Sequence, residues 1–227
     1  MNEEYFRIGQ YDPNFLRARW DELCSRRRPD PPEIETLFET LAGRYSEEGR
    51  AYHTLSHIQS LLLLSDSLRE KFLDYEAVCF AIWFHDVIYD TKRSDNEEKS
   101  ADLATASLPR LGVPAQTVSA AREMILATKH HRGVDLNWDA MAFLDLDTSI
   151  LGAPERVYRE YSLAIRKEYS WVLNFLYKRG RKKVLRDFLE RDRIYFTDEI
   201  GSKYEAQARS NIAQELRDLA GGAVPGA

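Results

Sequence analysis

The most chemically suggestive place in this chain is an apolar stretch that ends on a histidine and an aspartate. Residues 79–84 read Cys-Phe-Ala-Ile-Trp-Phe, and His85 and Asp86 follow directly. A helix that is apolar on every face is buried on every face. An ionised carboxylate delivered there is very costly unless it is paired or bound to a metal. A purely structural reading makes Asp86 a capping or ion-paired acid and His85 a satisfied core histidine. Other ligand-type residues favour chemistry. His53 and His57 lie four apart, which puts them on one face of a helix. Together they can bind one metal, or one can bind while the other does acid–base work, although such pairs also arise by chance. Asp145 and Asp147 lie two apart and face nearly opposite ways on a helix. Helical spacing aligns Asp147 with Ala140, Phe143, Leu144, Ile150 and Leu151, an apolar stripe. Asp145 falls with Trp138, Met141, Ala142 and Ser149, a more mixed face. If Asp86 and Asp147 both point inward, their like charges must be neutralised. Nearby histidines do this in part, and a divalent cation does it fully. The five histidines (His53, His57, His85, His130 and His131) all fall near helix ends or in polar breaks.

The elements that position these residues read as helices nearly throughout. Strand-like alternation bounded by turn residues does not recur. The eight prolines and eleven glycines fall between the periodic segments. Helices are expected over about 14–27, 31–45, 51–72, 75–89, 96–112, 114–131, 137–152, 154–180, 181–194 and 199–220. Pro31-Pro32, Pro114 and Pro154 suit first helical turns. Asp95 and Asn137 suit N-caps. The apolar segment 79–84 belongs at the centre of the bundle. Residues 131–137 read as a loop containing Gly133, and the tail 221–227 as disordered, leaving one domain over residues 1–220.

Composition removes several classes of function. With 227 residues a real core is possible, and 44% apolar with 30% charged residues is ordinary for a globular chain rather than a disordered one. The longest aliphatic run, residues 61–64, is far short of the roughly 20 residues a membrane-spanning helix needs. Lys and Arg number 32 against 37 Asp and Glu, a net charge of −5, so general attraction to nucleic acid or to a membrane is not expected. Two cysteines, Cys24 and Cys79, are too few for a disulfide framework. The first twenty residues contain no apolar signal region, and the expected compartment is the cytoplasm. There is no P-loop, nucleophile elbow, glycine-rich dinucleotide turn or paired Cys-x-x-Cys zinc motif.

The ordered set His57, His85-Asp86 and Asp147 in an all-helical chain resembles the HD superfamily of metal-dependent phosphohydrolases, which takes its name from an adjacent His-Asp pair. The chain looks most like an uncharacterised bacterial group of predicted HD phosphohydrolases. The likeness is carried by Gly49-Arg50-x-Tyr52-His53, Phe84-His85-Asp86-x-x-Tyr89-Asp90, Asn96-Glu97, Thr128-x-x-His131, Leu144-Asp145-x-Asp147-x-Ser149-Ile150-Leu151-Gly152 and Ala208-Arg209-x-Asn211. It spans about residues 12–220. Tyr52-His53-x-x-x-His57 is also similar to the opening motif of the cyclic-nucleotide phosphodiesterases of the same superfamily. The resemblance implies an all-α, single-domain orthogonal bundle of the HD type. It implies metal ligation by His57, His85, Asp86 and Asp147, with Asp145 the competing position for the last ligand. It implies that His53 protonates the leaving alkoxide and that Asp86 both ligates and orients the attacking water. Imidazole and carboxylate ligands suit manganese, iron, cobalt, nickel or zinc better than calcium, with magnesium also among the options.

The activity implied is a metal-dependent phosphohydrolase, a phosphomonoesterase or phosphodiesterase, acting on a small nucleotide or related phosphate. Its partners would be that small phosphorylated substrate, with no nucleic-acid duplex and no membrane, and the chain would be a monomer or homodimer. Some superfamily members hold two metals. His131 and Glu97, with His130 and Asp90 behind them, are the residues available for a second. Arg50 and Arg209, then Arg166 and Lys92, are candidates to meet phosphate. Two other readings compete: a di-iron oxygenase on the same type of fold, and a non-catalytic metal- or nucleotide-binding regulatory module. Tyr158, Tyr161, Ile165, Tyr169 and Val172 recur at helical spacing and read as core. Arg26-Arg27-Arg28 reads as a solvated run. The cations around Gly180 (Arg179, Arg181, Lys182 and Lys183) suit a helix C-terminus.

Overall fold

In the computed structural model, which describes residues 5–25, 31–131 and 136–221, the most enclosed element is the apolar stretch before His85. It forms the second half of α4 (Tyr75–Phe84), in which every residue from Ala77 to Phe84 is buried. The Asp74 side chain starts this helix by accepting the Ala77 amide. Around it lie α1 (Pro13–Ser25), α2 (Pro31–Tyr45), α3 (Leu55–Asp66), α5 (Asn96–Ser107), α6 (Ala115–Ala127) and α7 (Trp138–Thr148). Trp20 of α1 packs edge-on against Trp83, with ring centroids 5.4 Å apart. α3, α5, α6 and α7 contact α4 directly. The chain closes with α8 (Glu155–Glu168), α9 (Asn174–Leu189) and α10 (Asp198–Gly221). Among the described residues there are ten α-helices, a few short 3-10 turns and no strand, an all-α fold. No helix among them is long and apolar enough to cross a membrane. The expected arginine run at 26–28, the loop at Gly133 and the tail from 222 lie outside the described residues.

Three differences from the expected elements matter for the site. α3 begins at Leu55, not at 51, because Thr54 takes an extended N-cap conformation. His53 therefore precedes the helix, and the shared-face argument for His53 and His57 does not hold. α4 stops at Phe84 with His85 as C-cap, so Asp86 sits where the chain turns away. The single helix expected over 154–180 is two. Arg166 donates to the carbonyls of Tyr169 (2.7 Å) and Val172 (3.2 Å), satisfying acceptors outside the helical ladder where α8 ends. Gly180 lies inside α9.

α7 carries both candidate aspartates. Asn137 caps it by accepting the Ala140 amide at 2.9 Å. Asp139, Ala140, Ala142, Phe143, Leu144, Asp145 and Leu146 are all buried, so there is no single apolar stripe. Beyond α7, the 3-10 turn Ser149–Gly152 lies against α10. Gly152 is required there, because a Cβ on it would stand 2.6 Å from Cβ of Tyr204. Asn211 of α10 donates to the carbonyls of Leu151 and Ala153, both at 2.8 Å.

Candidate metal centre

Three helix ends meet at one point. The first turn of α3 supplies His57, the C-cap of α4 supplies His85, and the last turn of α7 supplies Asp147. The two Nε2 atoms are 3.2 Å apart, and Oδ1 of Asp147 is 3.2 Å from Nε2 of His57 and 3.6 Å from Nε2 of His85. Two facing ring nitrogens need something between them, either a proton or a cation. Nδ1 of His85 is turned to the Ile82 carbonyl at 3.0 Å, which fixes the ring with Nε2 toward His57 and Asp147. Nitrogen and oxygen ligands at about 2.0–2.2 Å from one ion lie roughly 2.8–3.6 Å apart, from octahedral to tetrahedral geometry. The observed edges fit that spacing, so this trio can hold a metal ion.

Charge and burial are graded across the site. The His57 and His85 side chains are 2% and 1% exposed, whereas Asp147, Asp86, His53 and His131 are 14–27% exposed and form the open side. Burial lowers the His57 pKa, keeping its ring neutral and fit to be a ligand. Burial also opposes charge on His85, but the carboxylates of Asp86 and Asp147 outweigh it and raise that pKa well above the ordinary value. Burial would raise the Asp147 pKa. Hydrogen bonds from His131, His57 and His85 reverse this and hold it well below the usual carboxylate range.

Asp86 stands beside the trio rather than within it. Its Oδ2 is 3.0 Å from Nε2 of His85 and 3.8 Å from Nε2 of His53. His53 presents that edge because its other nitrogen, Nδ1, is held by Glu168 at 2.7 Å. The same Glu168 carboxylate accepts the backbone amides of Ala51, Tyr52 and His53 (2.8, 2.8 and 3.0 Å) and the Tyr89 hydroxyl (2.9 Å). Burial alone would raise the Glu168 pKa, but His53 and these amides bring it down to about 2. The Tyr89 ring lies 4.3 Å from that of His53, closing its flank. The sequence reading missed Glu168. With one helix expected over 154–180, Glu168 fell mid-helix, and only the observed end of α8 puts this acid in a last turn, where it opposes the helix dipole.

Other expected site residues are placed differently. His131, at a left-handed φ of 46°, reaches Oδ2 of Asp147 at 2.9 Å and does join the cluster. Glu97 does not; it sits in the first turn of α5, where its charge acts on Lys129. Asp145, the competing position for the last ligand, is fully buried and is not part of the trio. It accepts the amides of Phe196 and Thr197 and the Thr197 hydroxyl, at 2.8, 2.7 and 2.6 Å. Arg50, a candidate to meet phosphate, is enclosed. Its guanidinium is 3% exposed and donates to the carbonyls of His53, Asp86 and Val87, tying the two histidine-bearing segments together. Arg209 is likewise structural, pairing with Glu205 at 2.7 Å and donating to the carbonyls of Leu189, Arg191 and Asp192. Arg166 is spent on the α8–α9 turn, and Lys92 lies 5.5 Å over the Trp171 ring. No protein-family model, no curated protein and no solved structure matches this chain.

Proposed function

We propose that this protein is a metal-dependent phosphohydrolase acting on a small nucleotide or related phosphate ester, in line with the resemblance to the HD superfamily. The observation that carries the reading is the convergence of His57 Nε2, His85 Nε2 and Asp147 Oδ1 within 4.8 Å of one another. His57, His85 and Asp147 would hold the ion, with Asp86 beside them. A bound divalent ion supplies hydroxide at neutral pH and offsets charge on phosphoryl oxygens. Asp86, on the open side, would accept a hydrogen bond from the attacking water and so orient it. His53 would donate the proton that the leaving alkoxide needs. Glu168 holds Nδ1, and Nε2 is the nitrogen left facing the open side. Because Arg50 and Arg209 are committed to backbone carbonyls, the remaining phosphate charge falls to His53 and His131.

The test is metal analysis of protein purified without chelator, followed by hydrolysis assays on nucleotide and sugar-phosphate panels. The expected result is a bound transition metal and phosphate release that chelation abolishes. His57→Ala and Asp147→Ala are expected to lose both while retaining the helical circular dichroism signal. Turnover in chelated protein, or undiminished activity in both variants, would overturn the proposal. The contact of His131 with the second oxygen of Asp147 favours a two-ion variant of the site. Two irons per chain with a visible absorption band would move the chemistry to oxygen activation instead.

A further inference from the structure

We propose that the surface formed by residues 171–186 docks on an anionic lipid surface, with the chain lying on the membrane rather than crossing it. This inference is independent of the metal centre. The α8–α9 turn and the start of α9 expose Trp171, Leu173, Phe175 and Leu176, each 46–66% exposed, with Val184 further along. Large apolar groups exposed side by side in this way mark an interaction surface. α9 is also strongly basic: six of its 16 residues are Lys or Arg and one, Asp187, is acidic, in a chain whose net charge is −5. Only Arg181 of these cations is spent internally, on Glu215 at 2.9 Å. Lys178, Arg179, Lys182, Lys183 and Arg186 have no ion pair among the described residues.

The two sets of residues share one direction. Tyr177 and Leu185 are buried eight residues apart, with Arg181 midway between them, which fixes the inward face of α9. Phe175, Arg179 and Lys183 repeat at the same spacing on an outward face, with Leu176 beside them. A surface that mixes Trp, Phe and Leu with Lys and Arg suits the boundary between acyl chains and anionic headgroups. A second copy of this chain fits less well, since a two-fold contact would bring the same cations face to face. Single-stranded nucleic acid would use the cations and Trp171 or Phe175 by stacking, but leaves Leu173, Leu176 and Val184 without a role.

The experiment is co-sedimentation of the full chain with vesicles of equal parts phosphatidylglycerol and phosphatidylcholine, compared with phosphatidylcholine alone. The expected result is pelleting only with the anionic vesicles. It should fall severalfold as salt shortens the screening length from about 10 Å to about 3 Å. Trp171 emission should shift to the blue on binding, and Trp171→Phe should remove that shift. Arg179→Glu with Lys183→Glu should cut binding by at least about tenfold, and Phe175→Ser with Leu176→Ser should weaken it at unchanged charge. The lipid and salt dependence of the unmodified chain needs no variant. Absence of pelleting, or equal pelleting with neutral vesicles, would overturn the proposal. So would binding to single-stranded RNA that the charge reversal abolishes while vesicle binding stays unchanged.

Discussion

Glu168 has two tasks in one buried carboxylate, and substitution can separate them. It accepts three consecutive amides, which fixes residues 51–53, and it holds Nδ1 of His53. Glu168→Gln keeps an acceptor for the amides but removes the charge that stabilises a protonated imidazole. Turnover in that variant is expected to fall by about 10²-fold or more, the usual scale for general acid catalysis, at unchanged metal content. Steady-state assays beside elemental analysis check this. The aspartates of α7 offer a second contrast. Asp145→Ala strands two amides and a hydroxyl and should lower unfolding free energy by about 2–4 kcal/mol, with ion binding intact. Asp147→Ala should show the reverse pattern, read by urea unfolding and metal titration on the same samples. His57, His85 and Asp147 were legible in the sequence because buried ligand-type residues are rare and costly. Glu168 was not, because its partners lie 79–117 residues away in the chain. An arginine that binds backbone carbonyls, as Arg50 and Arg209 do, has the same sequence signature as one that binds phosphate.

At the scale of elements, helix type was readable and helix ends were not. Asn137 caps α7 as expected, whereas Asp95 takes the N-cap position of α5 but turns its carboxylate to Arg93 instead. The start of α3 and the break before α9 depend instead on Glu168 and Arg166, whose side chains satisfy backbone groups away from the helical ladders. The packing of the Ser149–Gly152 turn on α10 rests on the absence of a side chain at Gly152. Gly152→Ala should therefore cost about 1–3 kcal/mol, the usual price of overpacking a filled contact, measured as a lowered denaturation midpoint. Because that turn begins two residues after Asp147, weaker ion binding is expected to accompany the loss of stability.

For the whole molecule, the all-α class follows from the 3.6-residue periodicity, and it is what the described residues form. Net charge was a poorer guide, since a sum over the chain hides the basic strip on α9. The same helix carries a buried ion pair that gives the molecule a pH signature. Burial would raise the Glu215 pKa, but Arg181, Tyr158 and Ser162 outweigh it and lower it. A depressed carboxylate contributes stability above its unfolded pKa of about 4.3 and loses it as pH falls through the lower folded value. Glu215→Gln should flatten this acid limb of the stability curve. Arg181→Met should cost about 3–5 kcal/mol at neutral pH, because it leaves a carboxylate buried without its counter-charge. Urea unfolding across the acid range distinguishes the two. The reach of Glu168 back to residues 51–53 also orders events during synthesis. The segment bearing His53 emerges from the ribosome long before the carboxylate that orients it, so a nascent chain shorter than 168 residues would lack the contact that aims this imidazole.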